Sequence, residues 1–376
     1  MHPLKIKYTK HLKYSTEAMI TKEKVLQALS TVPEPDLKGD LVSLNMIRDI
    51  EIEGKQVRFT VVLTTPACPL KEKIKSDCEA ALRRDLGDDI SIDIHMTAEV
   101  APSAKAPLIQ GVKNVIAIAS GKGGVGKSTV TANLAVALAK AGARVGIVDA
   151  DIFGPSIPTM FGVEGEHPPV QDIDGKQYII PVQAHGVKVI SMGFLAPEES
   201  AIVWRGPMAS KALIQFFGDV YWDELDYLLV DLPPGTSDIH LTLVQAIPLS
   251  GAVVVTTPQK VALADAIKAI AMFRQPQIQV PILGLIENMA YFTPAELPEN
   301  KYYIFGKDGG KVLAERFDIP FLGEVPLVQA LREGGDAGTP IAIEEEHPVG
   351  KAFAEIASTL AQQLAVRNAQ AEAATS

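Results

Sequence analysis

The sequence predicts an α/β protein whose main domain is a mostly parallel, doubly wound β-sheet, preceded by a smaller α/β domain. Over residues 111–366, short apolar runs alternate with helical patterns, which is typical of a parallel sheet covered by helices on both faces. A glycine-rich segment joins one of these runs directly to a helix. Residues 98–110 begin with a stretch rich in Ala and Pro, so a linker between two domains is expected there.

Length and composition favour a globular protein with more than one domain. The 376 residues exceed the usual size of a single hydrophobic core, and the chain is 47% hydrophobic and 21% charged. A net charge of −10 argues against a broad nucleic-acid-binding face. No apolar run reaches the ~20 residues of a membrane helix, and no signal-peptide pattern is present. Only two cysteines occur, so a secreted disulfide framework is excluded and a reducing cytoplasm is the expected location.

The first domain, residues 1–97, is predicted to contain helices and strands in alternation. Hydrophobic spacing and prolines indicate the first helix and its end, and Glu53-Gly54 is a plausible hairpin turn. Alternation of Val57, Phe59 and Val61 indicates a half-buried strand. The predicted elements are a helix over 18–29, strands over 41–52 and 57–65, a helix ending near Leu86 and a strand over 90–96.

The second domain, residues 111–366, contains the alternation of apolar runs with helical patterns. The predicted strands cover 115–119, 145–148, 187–190, 227–230, 252–256 and 282–286. The predicted helices cover 128–141, 210–217, 263–273 and 348–366. Residues 367–376 are rich in Ala and are predicted to be a flexible tail.

The glycine-rich segment after the first strand of this domain is predicted to bind phosphate. It comprises Gly121, Lys122, Gly123, Gly124, Val125, Gly126, Lys127, Ser128 and Thr129. Its glycines let successive backbone N–H groups turn toward phosphate oxygens, and the following helix adds the positive end of its dipole. In such a Walker A loop, Lys127 reaches the β- and γ-phosphates and Ser128 ligates Mg²⁺. We therefore expect a P-loop NTPase that binds ATP and Mg²⁺; a chance glycine-rich turn is the alternative.

Lys122 is the second residue of the loop, at a position where ordinary phosphate loops do not require a particular residue type. Here the loop resembles the deviant Walker A loop of dimeric ATPases that include nitrogenase reductase, the septum-site and partition ATPases and the arsenite pump ATPase. The resemblance implies that Lys122 crosses a dimer interface and stabilises charge on the nucleotide of the partner chain. That role matches an arginine finger supplied by lysine. A solvated lysine is the alternative.

Two strand ends that carry aspartates are expected to complete the site, because ligands of open α/β sheets bind at the carboxyl ends of strands. We assign Asp151 to orienting the attacking water and give Asp149 a structural role. Asp231 is expected on the Mg²⁺ side of the site. The N–H of Gly235 is expected to sense the γ-phosphate, and Gly235 to move when that phosphate leaves.

Over roughly residues 110–365 the chain resembles the Mrp-type (ApbC-like) iron–sulfur cluster carrier ATPases. The matching segments are residues 148–156, 191–194, 204–208, 231–238, 287–289 and 322–327, followed by Arg332, Asp336, Gly338 and Pro340. The resemblance implies ATP hydrolysis by a homodimer that transfers clusters to apoproteins or works with scaffold proteins. It also implies that Asn288 contacts adenine, since an amide both donates and accepts hydrogen bonds. A buried strand-end asparagine is the alternative.

The first domain is similar to the small iron–sulfur assembly-factor domain often fused in front of Mrp-type ATPases. The similarity rests on residues 33–36 before a strand and on Thr65-Pro66-Ala67-Cys68-Pro69 before a helix. It implies that Cys68 is a reactive thiol and a candidate iron–sulfur ligand, and a helix N-terminus favours the thiolate. The alternative for Cys68 is a buried, inert cysteine. Cys78 is expected to pack in the core.

The chain departs from the Mrp-type pattern in one respect. Those carriers usually place a Cys-x-x-Cys pair just after a Glu-Asn-Met segment, and two chains share a cluster across the dimer. Residues 290–298 here contain no cysteine. A [4Fe–4S] cluster normally takes four thiolates, whereas two copies of Cys68 supply only two. Cys68 and Cys78 lie about 15 Å apart along a helix, so they do not readily serve one cluster.

Three functions therefore stay open at the level of sequence. The first is an ATP-dependent iron–sulfur carrier or assembly factor. The second is a nucleotide-gated scaffold that has lost cluster carriage. The third is a partition or septum-positioning ATPase. A membrane-dependent member of that group needs a basic amphipathic C-terminal helix. Residues 351–376 contain few cations and therefore disfavour this function. We expect neither a membrane nor a nucleic acid as partner.

Overall fold

The computed structural model describes residues 20–103, 109–151, 154–194, 206–235, 238–294, 296–297 and 299–375. The chain divides into two compact units, the first built from residues 20–62 and 70–97 and the second from residues 63–69 and those from 98 onward. The loop 63–69, expected in the first domain, thus belongs to the second unit. Two hydrogen bonds account for this: the Thr65 and Tyr227 hydroxyls lie 3.1 Å apart, and Ser358 Oγ donates to the Ala67 carbonyl at 2.6 Å.

The first unit contains two contacting helices and a three-stranded sheet of order β3-β4-β5. Its elements are α1 (Lys22–Leu29), β1 (Pro33–Glu34), β2 (Gly39–Asp40), β3 (Ile47–Glu53), β4 (Gln56–Leu63), α2 (Lys71–Leu86) and β5 (Ser91–Ala98). Helix α1 begins at Lys22 because the Thr21 side chain caps it, accepting the N–H of Lys24 at 3.4 Å. The predicted Glu53-Gly54 hairpin is confirmed, with Glu53 paired to Gln56.

The prediction of a strand over residues 41–52 is wrong at its N-terminal end. Residues 41–45 form turns, and β3 begins only at Ile47. The Asp40 carboxylate accepts the N–H groups of Val42 and Ser43, both at 2.9 Å, which holds the backbone in a turn instead of a strand.

The second unit is built on an eight-stranded sheet of order β10-β11-β7-β12-β6-β13-β14-β15. Its strands are β6 (Val115–Ser120), β7 (Val145–Asp149), β10 (Val182–Ala184), β11 (Val187–Ser191), β12 (Tyr227–Asp231), β13 (Gly251–Thr256), β14 (Ile282–Phe292) and β15 (Phe321–Leu327), and β8 (Val170–Ile173) and β9 (Lys176–Ile179) form a separate hairpin. All neighbours pair in parallel except β10 and β11. Parallel pairing brings the carboxyl ends of the strands to one edge of the sheet.

The helices of the second unit are α3 (Lys127–Lys140), α4 (Ile157–Phe161), α5 (Gly206–Asp219), α6 (Asp238–Ala246), α7 (Lys260–Phe273), α8 (Gly309–Phe317), α9 (Gln329–Asp336) and α10 (Pro348–Thr375). Strands β6, β7, β12 and β13 are buried along their whole length, so both sheet faces are covered. The predicted mostly parallel α/β fold is confirmed. Among the described helices, none combines the length and apolar character needed to cross a membrane.

Helix α10 extends beyond its predicted end. Residues 367–375 continue the helix where a flexible tail was expected. The buried Asn368 amide donates to the Ala101 carbonyl at 3.1 Å and to Asn114 Oδ1 at 3.0 Å, which fixes this segment. Of the segments used for the resemblance, residues 152–153, 204–205 and 236–237 lie outside the described part of the chain.

Candidate nucleotide-binding site

The predicted phosphate loop connects β6, the fifth strand in spatial order, to α3. The strand ends at Ser120 and the helix begins at Lys127, with Gly126 in the left-handed region at φ 79° as its N-cap. A residue with a side chain adopts this backbone conformation at a cost, which explains the glycine. The loop therefore lies at the carboxyl edge of the sheet, in front of a helix N-terminus, where anions bind.

Two glycines of the loop are required by close approach of neighbouring groups. A Cβ on Gly121 would lie 2.1 Å from the backbone carbonyl of Asp265 in α7. A Cβ on Gly126 would lie 2.2 Å from the Asn288 amide nitrogen. Both distances are far below van der Waals contact, so the loop packs against α7 and β14 only with hydrogen at these positions.

Lys127, Ser128 and Asp231 meet at the start of α3. The Lys127 ammonium lies 2.8 Å from Asp231 Oδ2 and is only 6% exposed. Ser128 Oγ donates to the same oxygen at 2.5 Å, and Thr131 Oγ1 donates to Asp231 Oδ1 at 2.7 Å. The Ser128 hydroxyl and Asp231 carboxylate are adjacent oxygen donors, the ligand type that Mg²⁺ prefers, so these residues fit that ion.

Asp149 and Asp151 follow the end of β7 but have different surroundings. Asp149 is fully buried and accepts the N–H groups of Asp151 at 3.1 Å and Ile157 at 3.2 Å, and the Ser191 hydroxyl at 3.1 Å. Burial, followed by the nearby charge of Asp231, raises the pKa of Asp149 to about 7. Asp151 is partly exposed, with its carboxylate 3.9 Å from the Lys127 ammonium. The geometry places only Asp151 where it faces both Lys127 and solvent.

The exposed rim of the loop carries the remaining predicted residues. Gly123 and Gly124 are exposed and Lys122 is half-buried. Within the described residues Lys122 forms no ion pair, unlike Lys127. The Gly235 N–H donates to the Ser120 carbonyl at 2.9 Å, which ties the segment after Asp231 to the strand that leads into the loop.

Asn288 lies on β14 beside the phosphate loop. Its amide nitrogen donates to the Val125 carbonyl at 2.8 Å, while its buried amide oxygen has no hydrogen-bond partner within the part of the chain that the structure describes. A buried amide oxygen without a partner is unfavourable, so a ligand donor at this position would stabilise it. Both the predicted adenine contact and a structural role are compatible with the bond to Val125.

The structure does not bring Cys68 to the nucleotide site. Cys68 lines a cavity of about 440 Å³ together with Ala137, Lys140 and Ser358, at the end of α3 opposite the phosphate loop. Cys78 is fully buried in α2, where burial raises the pKa of its thiol to about 12. In the described part of the chain, no cluster of three or more His, Cys, Asp or Glu side chains is arranged to hold a metal ion.

Three residues at the site were missed from the sequence. Thr131 lies one helical turn beyond Lys127, a spacing that could have identified it as a second hydroxyl facing Asp231. Ser191 is the first residue of a matching segment but had no assigned role. His240, at the start of α6, is fully buried. Burial lowers the pKa of His240 to about 4, and no sequence pattern signals this environment.

Comparison with known proteins agrees with this fold. A model of the NUBPL iron-transfer P-loop NTPases matches residues 111–361, and a model of iron–sulfur cluster assembly proteins matches residues 22–94. The iron–sulfur cluster carrier protein of Synechocystis is 48% identical over 93% of this chain and 99% of its own length. That of Escherichia coli is 42% identical over 90% of this chain and 91% of its own length.

A solved structure of a nucleotide-binding protein from Archaeoglobus fulgidus in complex with ADP is similar as well. It is 42% identical, covers 64% of this chain and 90% of its own, and superimposes with a TM-score of 0.55. The predicted resemblance is thereby confirmed. With a phosphate loop in the expected strand–loop–helix setting and a family match over most of its length, the chain belongs to the NUBPL iron-transfer P-loop NTPase family.

Proposed function

We propose that this chain binds and hydrolyses ATP with Mg²⁺. The observation that carries this is the contact of Lys127, Ser128 and Asp231 at the start of α3, next to a loop in which Gly123 and Gly124 are exposed. With ATP bound, Lys127 would turn from Asp231 to the β- and γ-phosphates, and Ser128 and Asp231 would hold Mg²⁺. The ion would neutralise charge on the phosphates. Asp151 orients the attacking water, and Asn288 contacts the adenine.

We propose that hydrolysis takes place in a homodimer, with Lys122 reaching the nucleotide of the partner chain. The support is the environment of Lys122, half-buried and without an ion pair among the described residues, on the rim of the loop. A cation there can approach a phosphate from a second chain, as an arginine finger does. The Gly235 N–H would then leave the Ser120 carbonyl and respond to the γ-phosphate.

We propose that the ATPase cycle drives carriage of an iron–sulfur cluster to apoproteins. Relatives at 42–48% identity over most of this chain are named iron–sulfur cluster carrier proteins. In this proposal residues 1–97 are an assembly-factor domain, residues 111–366 are the ATPase domain, and Cys68 is a cluster ligand. Two copies of Cys68 leave a [4Fe–4S] cluster short of thiolates, so a recipient or scaffold protein supplies the others.

Nucleotide binding is tested by titration calorimetry of ATP with and without Mg²⁺. The wild-type chain is expected to bind ATP more tightly with Mg²⁺, and Lys127→Ala to lose most of that affinity. Lys140→Ala, at the other end of α3, is the matched control and is expected to bind normally. Equal ATP affinity of Lys127→Ala and wild type would contradict the proposed site.

Cluster binding is tested by anaerobic reconstitution with ferrous iron and sulfide. We expect visible cluster absorbance that falls in Cys68→Ala and is retained in Cys78→Ala. Absence of bound iron in the wild-type chain, alone and with an apoprotein acceptor present, would contradict carriage.

One observation favours a second candidate function, a nucleotide-gated scaffold without cluster carriage. No cysteine follows Asn288 in the chain, and the described residues contain no ready-made metal cluster. Growth complementation of a strain defective in cluster assembly separates the two functions. A chain that complements without ever binding iron would be a scaffold.

A further inference from the structure

A cavity of about 420 Å³ lies at the edge of the sheet opposite the phosphate loop, and its volume is in the range of small-molecule sites. Its walls include Gly111, which comes before β6, and Asp223 and Glu224, which come before β12. The two strands pair in parallel, so these residues lie at their amino ends, whereas the phosphate loop follows the carboxyl end of β6. The cavity is therefore separate from the nucleotide site.

Backbone hydrogen bonds hold the walls of this cavity together. The Tyr221 N–H donates to the Ile179 carbonyl of β9 at 2.9 Å, and the Leu225 N–H donates to the Gly111 carbonyl at 2.8 Å. A Cβ on Gly111 would lie 1.7 Å from the Asp223 carbonyl oxygen, so these two wall segments are in direct contact. Walls that are already fixed lose little conformational entropy when a ligand binds.

Four aromatic side chains line the cavity, namely Tyr178, Phe217, Tyr221 and Trp222. Phe217 and Trp222 are buried, whereas Tyr178 is half-buried and Tyr221 is 38% exposed. The Tyr178 and Tyr221 rings meet edge to face with centroids 5.7 Å apart, and the Lys176 ammonium lies 4.5 Å from the centre of the Tyr178 ring. Walls of this kind favour a ligand with a flat, apolar ring.

Trp222 supplies a buried hydrogen-bond donor to this region. Its indole N–H has no hydrogen-bond partner within the described part of the chain, which is unfavourable for a buried polar group. The opposite end of the indole, Cζ3, is packed inward, because a Cβ on Gly146 of β7 would lie only 2.9 Å from it. The N–H edge of the ring therefore points away from β7.

The charged groups around the cavity differ in whether they are paired. The carboxylates of Asp223 and Glu224 form ion pairs with Lys188, at 3.7 Å, and with Arg144. Lys176 is exposed, donates to a backbone carbonyl at 3.1 Å and forms no ion pair among the described residues. Its ammonium carries further N–H donors, so the cation of the cavity is available to a ligand while the anions are engaged.

We propose that this cavity binds a small aromatic carboxylate. The ring of the ligand lies against Tyr178 and Tyr221, and its carboxylate accepts hydrogen bonds from the Trp222 indole N–H and the Lys176 ammonium. A cationic ligand of the same shape leaves the indole N–H without an acceptor and meets Lys176 as a like charge. The inference goes beyond the ATPase proposed above, since no residue of the cavity belongs to the nucleotide site.

Titration with sodium benzoate tests this site, followed through the indole N–H signals in heteronuclear NMR spectra of the full chain. The chain has two tryptophans, so the signal lost in Trp222→Phe is the reporter, and Trp204→Phe identifies it independently by losing the other signal. Benzoate is expected to move the Trp222 signal downfield with a dissociation constant of about 1 mM or lower. Benzylamine, which has the same ring but an ammonium group, is expected to leave that signal in place.

Substitution of the available cation gives a second measurement. Lys176→Gln is expected to weaken benzoate binding roughly tenfold or more, because a hydrogen bond between charged groups is lost. Lys311→Gln, which changes an exposed lysine on α8, is the matched control and is expected to bind as wild type does.

The Trp222 signal reports the cavity and not the phosphate loop, so the outcome is independent of ATP hydrolysis. A Trp222 signal that benzoate does not move would overturn the site. An equal response to benzylamine, or unchanged benzoate affinity in Lys176→Gln, would overturn the assigned ligand class.

Discussion

Lys122 and Lys127 lie in the same loop but differ in what surrounds their ammonium groups. Lys127 is buried between Asp231 at 2.8 Å and Asp151 at 3.9 Å, so its charge is balanced inside its own chain. Lys122 is half-buried and has no such carboxylate among the described residues. The first arrangement suits a lysine that binds phosphate in its own chain, and the second suits one that acts outside it.

Replacing Lys122 by Ala is expected to leave ATP binding nearly unchanged and to lower turnover roughly a hundredfold or more, because a cation that acts only on the transferring phosphoryl group stabilises the transition state. Titration calorimetry and a phosphate-release assay measure the two effects separately. Lys140→Ala controls for the loss of a lysine on the adjoining helix. Retained turnover in Lys122→Ala would contradict the shared site.

The two cysteines are expected to differ in reactivity. Cys78 is fully buried, and burial raises the pKa of its thiol to about 12, so almost no thiolate is present at about pH 8. Cys68 lies in a partly exposed loop beside a cavity. Iodoacetamide is expected to modify Cys68 in the folded protein and Cys78 only after unfolding, as read by mass spectrometry of intact and digested chains. Modification of Cys78 in the native protein would contradict the assigned burial.

His240 is expected to make stability depend on pH. Burial lowers the pKa of His240 to about 4 in the folded chain, whereas an unfolded histidine titrates near 6.5. Between these values the unfolded histidine binds more protons, so the contribution of His240 to the free energy of unfolding decreases as the pH falls from about 6.5 to about 4, by up to about 3 kcal/mol. The raised pKa of buried Asp149 acts in the opposite direction, so the effect of His240 is measured as the difference between wild type and a His240 variant.

Urea unfolding at several pH values measures this dependence. His240→Gln is expected to lose this contribution, because glutamine does not titrate, so its stability relative to wild type rises as the pH falls, while exposed His95→Gln serves as the control and follows wild type. An equally steep dependence in His240→Gln would show that other groups cause it.

At the scale of elements, the phosphate loop depends on how closely β6 and α3 approach their neighbours. A Cβ on Gly121 would lie 2.1 Å from the Asp265 carbonyl, and that backbone belongs to the interior of α7 and cannot move easily. Gly121→Ala is therefore expected to destabilise the chain by about 3 kcal/mol, as overpacking does. Urea unfolding measures the change.

Gly218→Ala is the matched control. Gly218 lies in α5 with nothing within 4 Å of an added Cβ, so alanine is expected to be neutral or stabilising by up to about 1 kcal/mol. If Gly121→Ala proved as stable as wild type, α7 would not approach the loop as described.

Elements that bury an uninterrupted apolar run were predictable from the sequence. The runs at residues 115–119 and 252–256 correspond to β6 and β13, since strands covered on both faces select β-branched and aliphatic side chains throughout. The hairpin of β8 and β9 was not predicted, because its residues are mostly exposed and carry no hydrophobic pattern. Strand β14 continues to Phe292, past its predicted end at residue 286. The prediction stopped too early because polar Glu287 and Asn288 interrupt the apolar run.

The candidate site was predictable to the extent that local chemistry defines it. Glycine spacing, followed by lysine and serine, locates the loop, and an aspartate after an apolar strand locates its partner. Long-range contacts are different, because they depend on how strands are ordered in the sheet. The bond of Asn288 to Val125, the burial of Asp149 by Ser191 and the closed environment of His240 all join residues distant in sequence.

For the whole molecule, we infer a nucleotide-driven switch between two copies of the chain. Within each copy, the carboxyl edge of the sheet carries a buried Lys127 and a half-buried Lys122. The central claim is that each active site is completed by the lysine of the other chain. Cluster carriage depends on that pairing.

The most direct test mixes two inactive variants, Lys122→Ala and Lys127→Ala, and measures ATP turnover. Each alone lacks one lysine at every site, but a mixed dimer contains one complete site, formed by Lys127 of the first chain and Lys122 of the second. The account predicts that an equal mixture recovers about a quarter of wild-type turnover, since half the dimers are mixed and each has one working site. A mixture as inactive as its components would contradict it.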